Sequence, residues 1–362
     1  MCLTVSPSSY LTLSRLTLIG LVFVGVSSSS QASTPSEMAE MSLQDLFTYT
    51  LEDEVSTRHN VRGWDFGIAY KRQRFEGYQS GTDKLSNSDV LFAPGDTRTD
   101  ENYPILPTVI SQEAVVVQFS YQFDDLTSVS IGIPYIRQST DHISVVPGYD
   151  TFEIESQGVG DIYLNYQRTF YQNAQHQWSW MLGLSAPTGS IDEKGDTPRG
   201  PGNQQLPYTM QLGSGTWDFP LAIHYQYSGD TALWGANVQA RLRIGENDRD
   251  YSLGNRLTFN GWGRRCLDLG VCATARLSYV HWQDIRGQDD TIVLPTSNPY
   301  PANITDPDNY GGDKVNLALG IEIPWQNNQL VMELGAPLFQ DLNGIQTRED
   351  FSVSLGWNVA LQ

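Results

Sequence analysis

The chain has 362 residues, 40% of them hydrophobic and 17% charged, with a formal net charge of −19 at pH 7. An acidic balance of that size repels nucleic acid and anionic surfaces, and no basic cluster offsets it. Mean hydropathy is slightly negative and no apolar run beyond residue 32 is long enough for a membrane helix, so passage through a membrane must be made by strands.

The first 32 residues stand apart. Arg15 is their only charge, and the apolar run from Leu16 to Val26 is followed by serines and the small pair Ser30 and Ala32. That order predicts a secretory signal peptide over residues 1–32, cut after Ala32. Its removal takes the mature chain to −19 − 1 = −20. Residues 33–60 form a periplasmic N-terminal segment. Within it Met41, Leu43, Leu46 and Phe47 have helical spacing behind Ser42, a candidate N-cap. A short helix, a lumen plug and an unstructured tail are the readings left open there.

From Trp64 onward one pattern returns: about ten residues in which apolar and polar or small side chains alternate, the signature of a transmembrane barrel strand. Trp64, Phe66, Ile68 and Tyr70 begin it. Val115 to Phe123, Val129 to Tyr135, Ile162 to Tyr166 and Trp178 to Leu184 continue it. Phe219 to Tyr227 and Trp234 to Ile244 follow, then an eighth set of Tyr251, Leu253, Leu257 and Phe259. Ala273 to Tyr279, Val315 to Ile323, Leu330 to Leu338 and Phe351 to Leu361 make twelve.

The connections alternate in length. Asp124-Asp125 and Ser228-Gly229-Asp230 are tight, and the stretches around Asn173 and Asn327 are short, whereas 75–113, 138–157, 189–214 and 284–312 are long. On the apolar parity, Phe123, Trp178, Trp180, Tyr225, Tyr227, Trp234 and Phe259 fall beside the short turns, as an interfacial girdle requires. A soluble β-sandwich also alternates, but it has no reason to sort aromatic residues by depth. The expected fold is all-β: a transmembrane antiparallel up-and-down β-barrel of about twelve strands over residues 61–362, with short periplasmic turns and long external loops.

In such a barrel the polar parity lines the lumen. Arg241, Arg243, Arg256 and Arg276 fall on it over three consecutive strands, Arg256 and Arg276 near mid-strand and the other two nearer the external mouth. Glu322 and Glu333 line the strands that follow. Arginines in a constriction favour anionic or aromatic-carboxylate solutes, while pairing with the glutamates would make them wall structure. Of five histidines only His224 falls clearly on the lumen parity, and no nucleophile or acid at catalytic spacing accompanies it. Asp289, Asp290, Asp306, Asp308 and Asp313 are expected in the outer loops as a solvated acidic surface. Cys266 and Cys272, the two mature cysteines, are a disulfide candidate, with two free thiols as the alternative. Neither a Cys/His metal spacing nor a cofactor motif occurs, so no metal and no cofactor are expected.

Several runs resemble the outer-membrane family named for a putative MetA pathway of phenol degradation. They are Gly158-Val159-Gly160-Asp161, Ala186-Pro187-Thr188-Gly189 and Gln211-Leu212-Gly213-Ser214-Gly215-Thr216-Trp217-Asp218. Asp306-Pro307-Asp308-Asn309 with Gly311-Gly312, and the stretch from Leu334 to Gly344, complete the set in order. The resemblance implies a barrel and an uptake role near aromatic-compound catabolism, and it brings no catalytic residues. Ser354, Gly356, Val359 and Leu361 are similar to the terminal signal read by the barrel-assembly machinery, although Gln362 stands where a terminal aromatic is usual.

The expected function is an outer-membrane channel for passive uptake of small solutes, aromatic or anionic ones among them. A lipid- or peptide-processing barrel enzyme and a structural or adhesive barrel are the competing readings. Expected partners are outer-membrane lipid and lipopolysaccharide, the assembly machinery and a small-molecule solute, with no nucleic acid.

Overall fold

The computed structural model describes residues 62–230, 232–267 and 270–361. The predicted signal peptide and the segment 33–60 lie outside the described residues.

In chain order the strands are β1 (Gly63–Gly81), a short β2 (Asp83–Leu85), β3 (Ile105–Asp124), β4 (Thr127–Ser144), β5 (Thr151–Val159) and β6 (Ile162–Gln172). Then come β7 (His176–Ala186), the small pair β8 (Lys194–Asp196) and β9 (Asn203–Gln205), β10 (Trp217–Ser228) and β11 (Ala232–Ile244). The last are β12 (Tyr251–Ser252), β13 (Arg256–Cys266), β14 (Cys272–Trp282), β15 (Arg286–Gly287), β16 (Gly312–Trp325) and β17 (Asn328–Leu361). Each wall strand pairs antiparallel with its neighbours, and β17 closes the ring on β1. Eleven elements thus form the wall, with β2 on β1 and β5 on β4 outside the path.

An antiparallel ring needs an even number of passes, and β17 supplies the missing one. Its 34 residues would extend roughly 110 Å as a single strand, several times the thickness of a bilayer. Residues up to Leu342 pair with β16 and those from Leu342 onward pair with β1. The reversal falls at Asn343 and Gly344, where Gly344 has φ 63°. The two halves lie side by side, the Glu349 amide donating to the Gln340 side chain at 3.0 Å. The wall is therefore crossed twelve times.

The alternation places the apolar parity outside. Ile131, Leu164, Leu182, Val238, Leu319 and Leu334 are all exposed on the outer face, which suits lipid and would be costly in water. Aromatic rings meet around the short-turn end: Trp64 on Tyr121 at 4.8 Å, Trp178 on Tyr225 at 4.7 Å and Tyr227 on Trp234 at 5.3 Å. Because the pattern repeats every two residues, a slip of one would turn every lipid-facing side chain inward. That periodicity is what holds the register.

The eighth strand departs from expectation. Tyr251 and Ser252 form a separate ladder with β15, and the wall strand begins at Arg256 and runs on to Cys266. Gly261 and Gly263 occupy its outward positions opposite Ala236 and Trp234. Glycines carry no hydrophobic signal, so the apolar pattern breaks off at Phe259. Phe259 consequently lies near the long-loop end and outside the short-turn girdle. At the true turn Cys266 and Cys272 face each other in the register and are joined by a disulfide.

Two of the expected long loops are largely strand. β3 and β4 pair as far as Ile105 and Ser144, and β5 pairs with the upper half of β4 from Tyr135 to Ile143. The outward positions there turn polar, with Arg137, Ser139 and Asp141, so this part stands clear of the apolar band. His142 lies in it, its Nδ1 3.0 Å from the Thr140 carbonyl and its ring stacked on Phe152 at 4.5 Å. Burial pushes it down to about 4.

A histidine buried neutral adds stability that is fully present above its unfolded value, near 6.5, and drains away as pH falls toward 4. By pH 5 the hairpin should have lost about 2 kcal/mol. Hydrogen exchange over residues 137–159, corrected for intrinsic rates, should show lower protection at pH 5 than at pH 7.5, and no such difference in His142→Phe. Equal protection in the wild type at both pH values would contradict this.

Candidate functional site

The inward parity defines the site. Gln73, Gln112, Gln118, Gln138, Asn165 and Ser179 are buried on one side of the barrel, and Asn237, Gln239, Thr258, Asn260 and Asn358 on the other. Polar atoms left without a protein partner are costly unless they are hydrated. Gln239 Nε2, Thr274 Oγ1, Gln329 Oε1 and both amide atoms of Asn358 are buried and have no protein partner.

Charges within the lumen are arranged in pairs. Asp218 on β10 is fully buried and accepts from the Thr216 hydroxyl at 2.8 Å. Arg243 Nε lies 3.3 Å from its carboxylate and Arg241 Nη1 lies 3.8 Å away. Arg243 also donates to the Gly254 carbonyl. Lower in the barrel Arg276 Nε stands 3.6 Å from Glu333 and Arg264 pairs with Glu322. On the remaining strands Lys314 and Glu349, both 2% exposed, form an ion pair, and Gln73 donates to the same carboxylate at 3.2 Å. Lys71 takes the inward parity of β1, opposite Ser354.

All four arginines singled out from the sequence therefore face the lumen. Arg256, however, is the first residue of β13 and lies level with Arg241 at the long-loop end, so only Arg276 is near mid-wall. The misplacement follows directly from the shifted eighth strand. Of the two glutamates, Glu333 meets Arg276 while Glu322 meets Arg264, a residue hidden by the same shift. Lys71 and Lys314 were legible by parity. Glu349 fell just outside the predicted last strand and could not have been found that way. His224 faces inward between Ser179 and Asn237 in the register.

The long-loop mouth differs most from expectation. Residues 205–214 are all buried, and so are 301–312 except Asp308. Each stretch contains one 3-10 turn, Tyr208–Met210 and Asn303–Thr305. These loops fold back into the mouth, where Tyr208 packs edge-on against Tyr251 at 4.8 Å and Tyr310 at 5.6 Å. Trp282, Ile285, Ile292 and Leu342 complete that apolar cluster. Loops with aromatic residues at intervals can bury them only by turning inward, since the outer surface at this level is polar.

The acidic loop residues are divided accordingly. Asp289 is buried against Arg249 at 3.3 Å, and Asp306 is buried as well. Asp313 is the second residue of β16 and accepts from the Tyr279 hydroxyl, while Asp290 and Asp308 alone of the five stay exposed. No group of three or more metal-ligating side chains occurs among the described residues.

The infolded loop 205–216 is held by backbone bonds from Leu206 to the Glu193 carbonyl and from Leu212 and Gly213 to the Ser190 carbonyl, and by a buried carboxylate. β5 and β6 are one stave along β4, broken at Gly160 and Asp161. The buried Asp161 carboxylate accepts from the Gly189 amide at 2.8 Å, the Ser214 amide at 2.9 Å and the Ser214 hydroxyl at 2.8 Å. Three of the motif runs found in the sequence thus converge on a single carboxylate. A Cβ on Gly189 would come within 2.5 Å of the Leu212 carbonyl, and one on Gly213 within 2.3 Å of the Gly189 carbonyl. Only glycine permits that approach.

No family model matches the chain, and no curated protein matches it. Among solved structures it is similar to a COG4313 outer membrane channel from Pseudomonas putida F1, at 14% identity and a TM-score of 0.55, over 84% of this chain and 97% of that one. KdgM porin, at 9% identity and 0.38, aligns over 82% and 99%. A Pseudomonas aeruginosa FadL homologue, at 11% and 0.38, aligns over 83% and 90%. At these identities the first likeness is one of fold, the outer-membrane barrel, and the other two scores are too low to add to it.

Proposed function

We propose that the chain is exported through its signal peptide to the outer membrane and acts there as a channel for passive uptake of small solutes, anionic and aromatic ones above all. The observation that carries this is the inward face: every wall strand turns polar side chains, some with unsatisfied buried atoms, toward an interior that must hold water. Seven cations on that face, Lys71, Arg241, Arg243, Arg256, Arg264, Arg276 and Lys314, stand against the paired carboxylates Asp218, Glu322, Glu333 and Glu349, and the excess biases its field toward anions. The channel described for Pseudomonas putida shares the barrel, and the motif runs resembling the MetA-pathway family support a link to aromatic compounds. The infolded loops narrow the route at the long-loop mouth, which favours small solutes over large ones.

Liposome swelling across sugars, aliphatic acids and aromatic acids tests the reading. Reconstituted protein should admit small acids and give anion-preferring reversal potentials in planar bilayers. Replacing both Arg256 and Arg276 with Gln should move those potentials toward cation preference. Permeation by none of these solutes, with turnover of lipid or peptide instead, would favour a barrel enzyme with His224 as its candidate base.

A further inference from the structure

Around Arg256 the wall offers hydrogen-bond donors without acceptors to match them. Arg256 stands opposite Trp282 across β13 and β14, and opposite Arg241 across β11 and β13. Gln239, two residues before Arg241, faces Thr258. All four side chains are more than nine-tenths buried: Arg241 at 6% exposure, Trp282 at 7%, Gln239 and Arg256 at 8%. The indole Nε1 of Trp282 and the amide Nε2 of Gln239 have no acceptor.

A lysine also approaches the same place. The Lys314 ammonium, paired with Glu349, lies 5.8 Å over the Trp282 ring. The inward carboxylates Asp218, Glu322, Glu333 and Glu349 each already hold a cation. A buried donor without an acceptor is costly. The matching ligand brings acceptors only, and an ionised carboxylate accepts at both oxygens and donates nothing. Trp282 also packs with Tyr208, Tyr251 and Tyr310, which gives an attached ring apolar company.

We propose that Arg256, Trp282 and Gln239 form a binding site for a small aromatic carboxylate within the lumen. The site deepens the channel reading, on which it rests for the route by which the solute arrives; binding itself is measurable without transport.

Isothermal titration of the detergent-solubilised full chain with benzoate is the test. The wild type should bind benzoate saturably. Affinity should fall on the order of tenfold in Trp282→Phe, which keeps an aromatic ring but removes the indole donor, and at least as far in Gln239→Glu, which adds a like charge. Benzyl alcohol, of similar shape but uncharged, should not saturate. Heat-modifiable gel mobility shows that each variant barrel is folded. No saturable binding by the wild type, unaltered affinity in both folded variants, or equal binding of benzyl alcohol would overturn the site. Benzoate entry into liposomes is scored separately. Entry without saturable binding removes the site and leaves the channel, whereas binding without entry keeps the site and removes the channel.

Discussion

Replacing Lys314 with Met is expected to destabilise the barrel by about 3–5 kcal/mol, because it leaves the Glu349 carboxylate buried without its cation. Glu349 is 2% exposed and would retain the Gln73 amide at 3.2 Å and the more distant charge of Lys71. Removing the charge on both sides should restore most of the loss, since an uncharged pair of similar volume carries no desolvation penalty. Lys314→Met with Glu349→Gln is therefore expected to unfold close to the wild type. The single and double variants, compared by urea unfolding in lipid vesicles, complete a thermodynamic cycle. A single variant as stable as the double would mean that the pair is not coupled.

Asp161→Ala is expected to loosen the infolded loop at its Ser214 end without opening the wall. Three donors, the amides of Gly189 and Ser214 and the Ser214 hydroxyl, converge on that carboxylate. Charge-assisted bonds of this kind are individually strong, and their loss strands two buried amides, a local cost of roughly 3–5 kcal/mol. Exchange of amides over residues 205–216 should then accelerate by about a hundredfold or more, while the β1 and β3 amides stay protected. Single-channel conductance should rise, because the loosened loop fills the mouth less completely. Asp161→Asn keeps one acceptor and should fall between. Unchanged exchange over 205–216 in the alanine variant would show that the loop is held from elsewhere.

The wall was open to inference residue by residue wherever lipid faces it. Trp64 to Tyr70, Trp234 to Ile244 and Phe351 to Leu361 alternate because one side must be apolar and the other polar, and a period of two survives in sequence as a plain pattern. The same rule placed Arg241, Arg243 and Arg276 in the lumen. It failed on β13, where Gly261 and Gly263 face outward and the pattern goes silent, and that single failure displaced Arg256 and concealed Arg264. Ion-pair partners were equally out of reach. Lys314 and Glu349 are 35 residues apart and meet only because β17 doubles back on itself.

What the sequence by itself determined is therefore the barrel: its strand count, its closure as alternating short and long connections, and which parity meets lipid. Periodicity and turn chemistry are local, and they act on each strand before any other strand is present. What only the tertiary structure decided is the interior. Asp161 becomes an anchor, and Tyr208 and Tyr310 pack together at the mouth, through contacts between segments far apart in the chain. The side chains facing the lumen answer to one another and to water, and neither constraint leaves a period in the sequence.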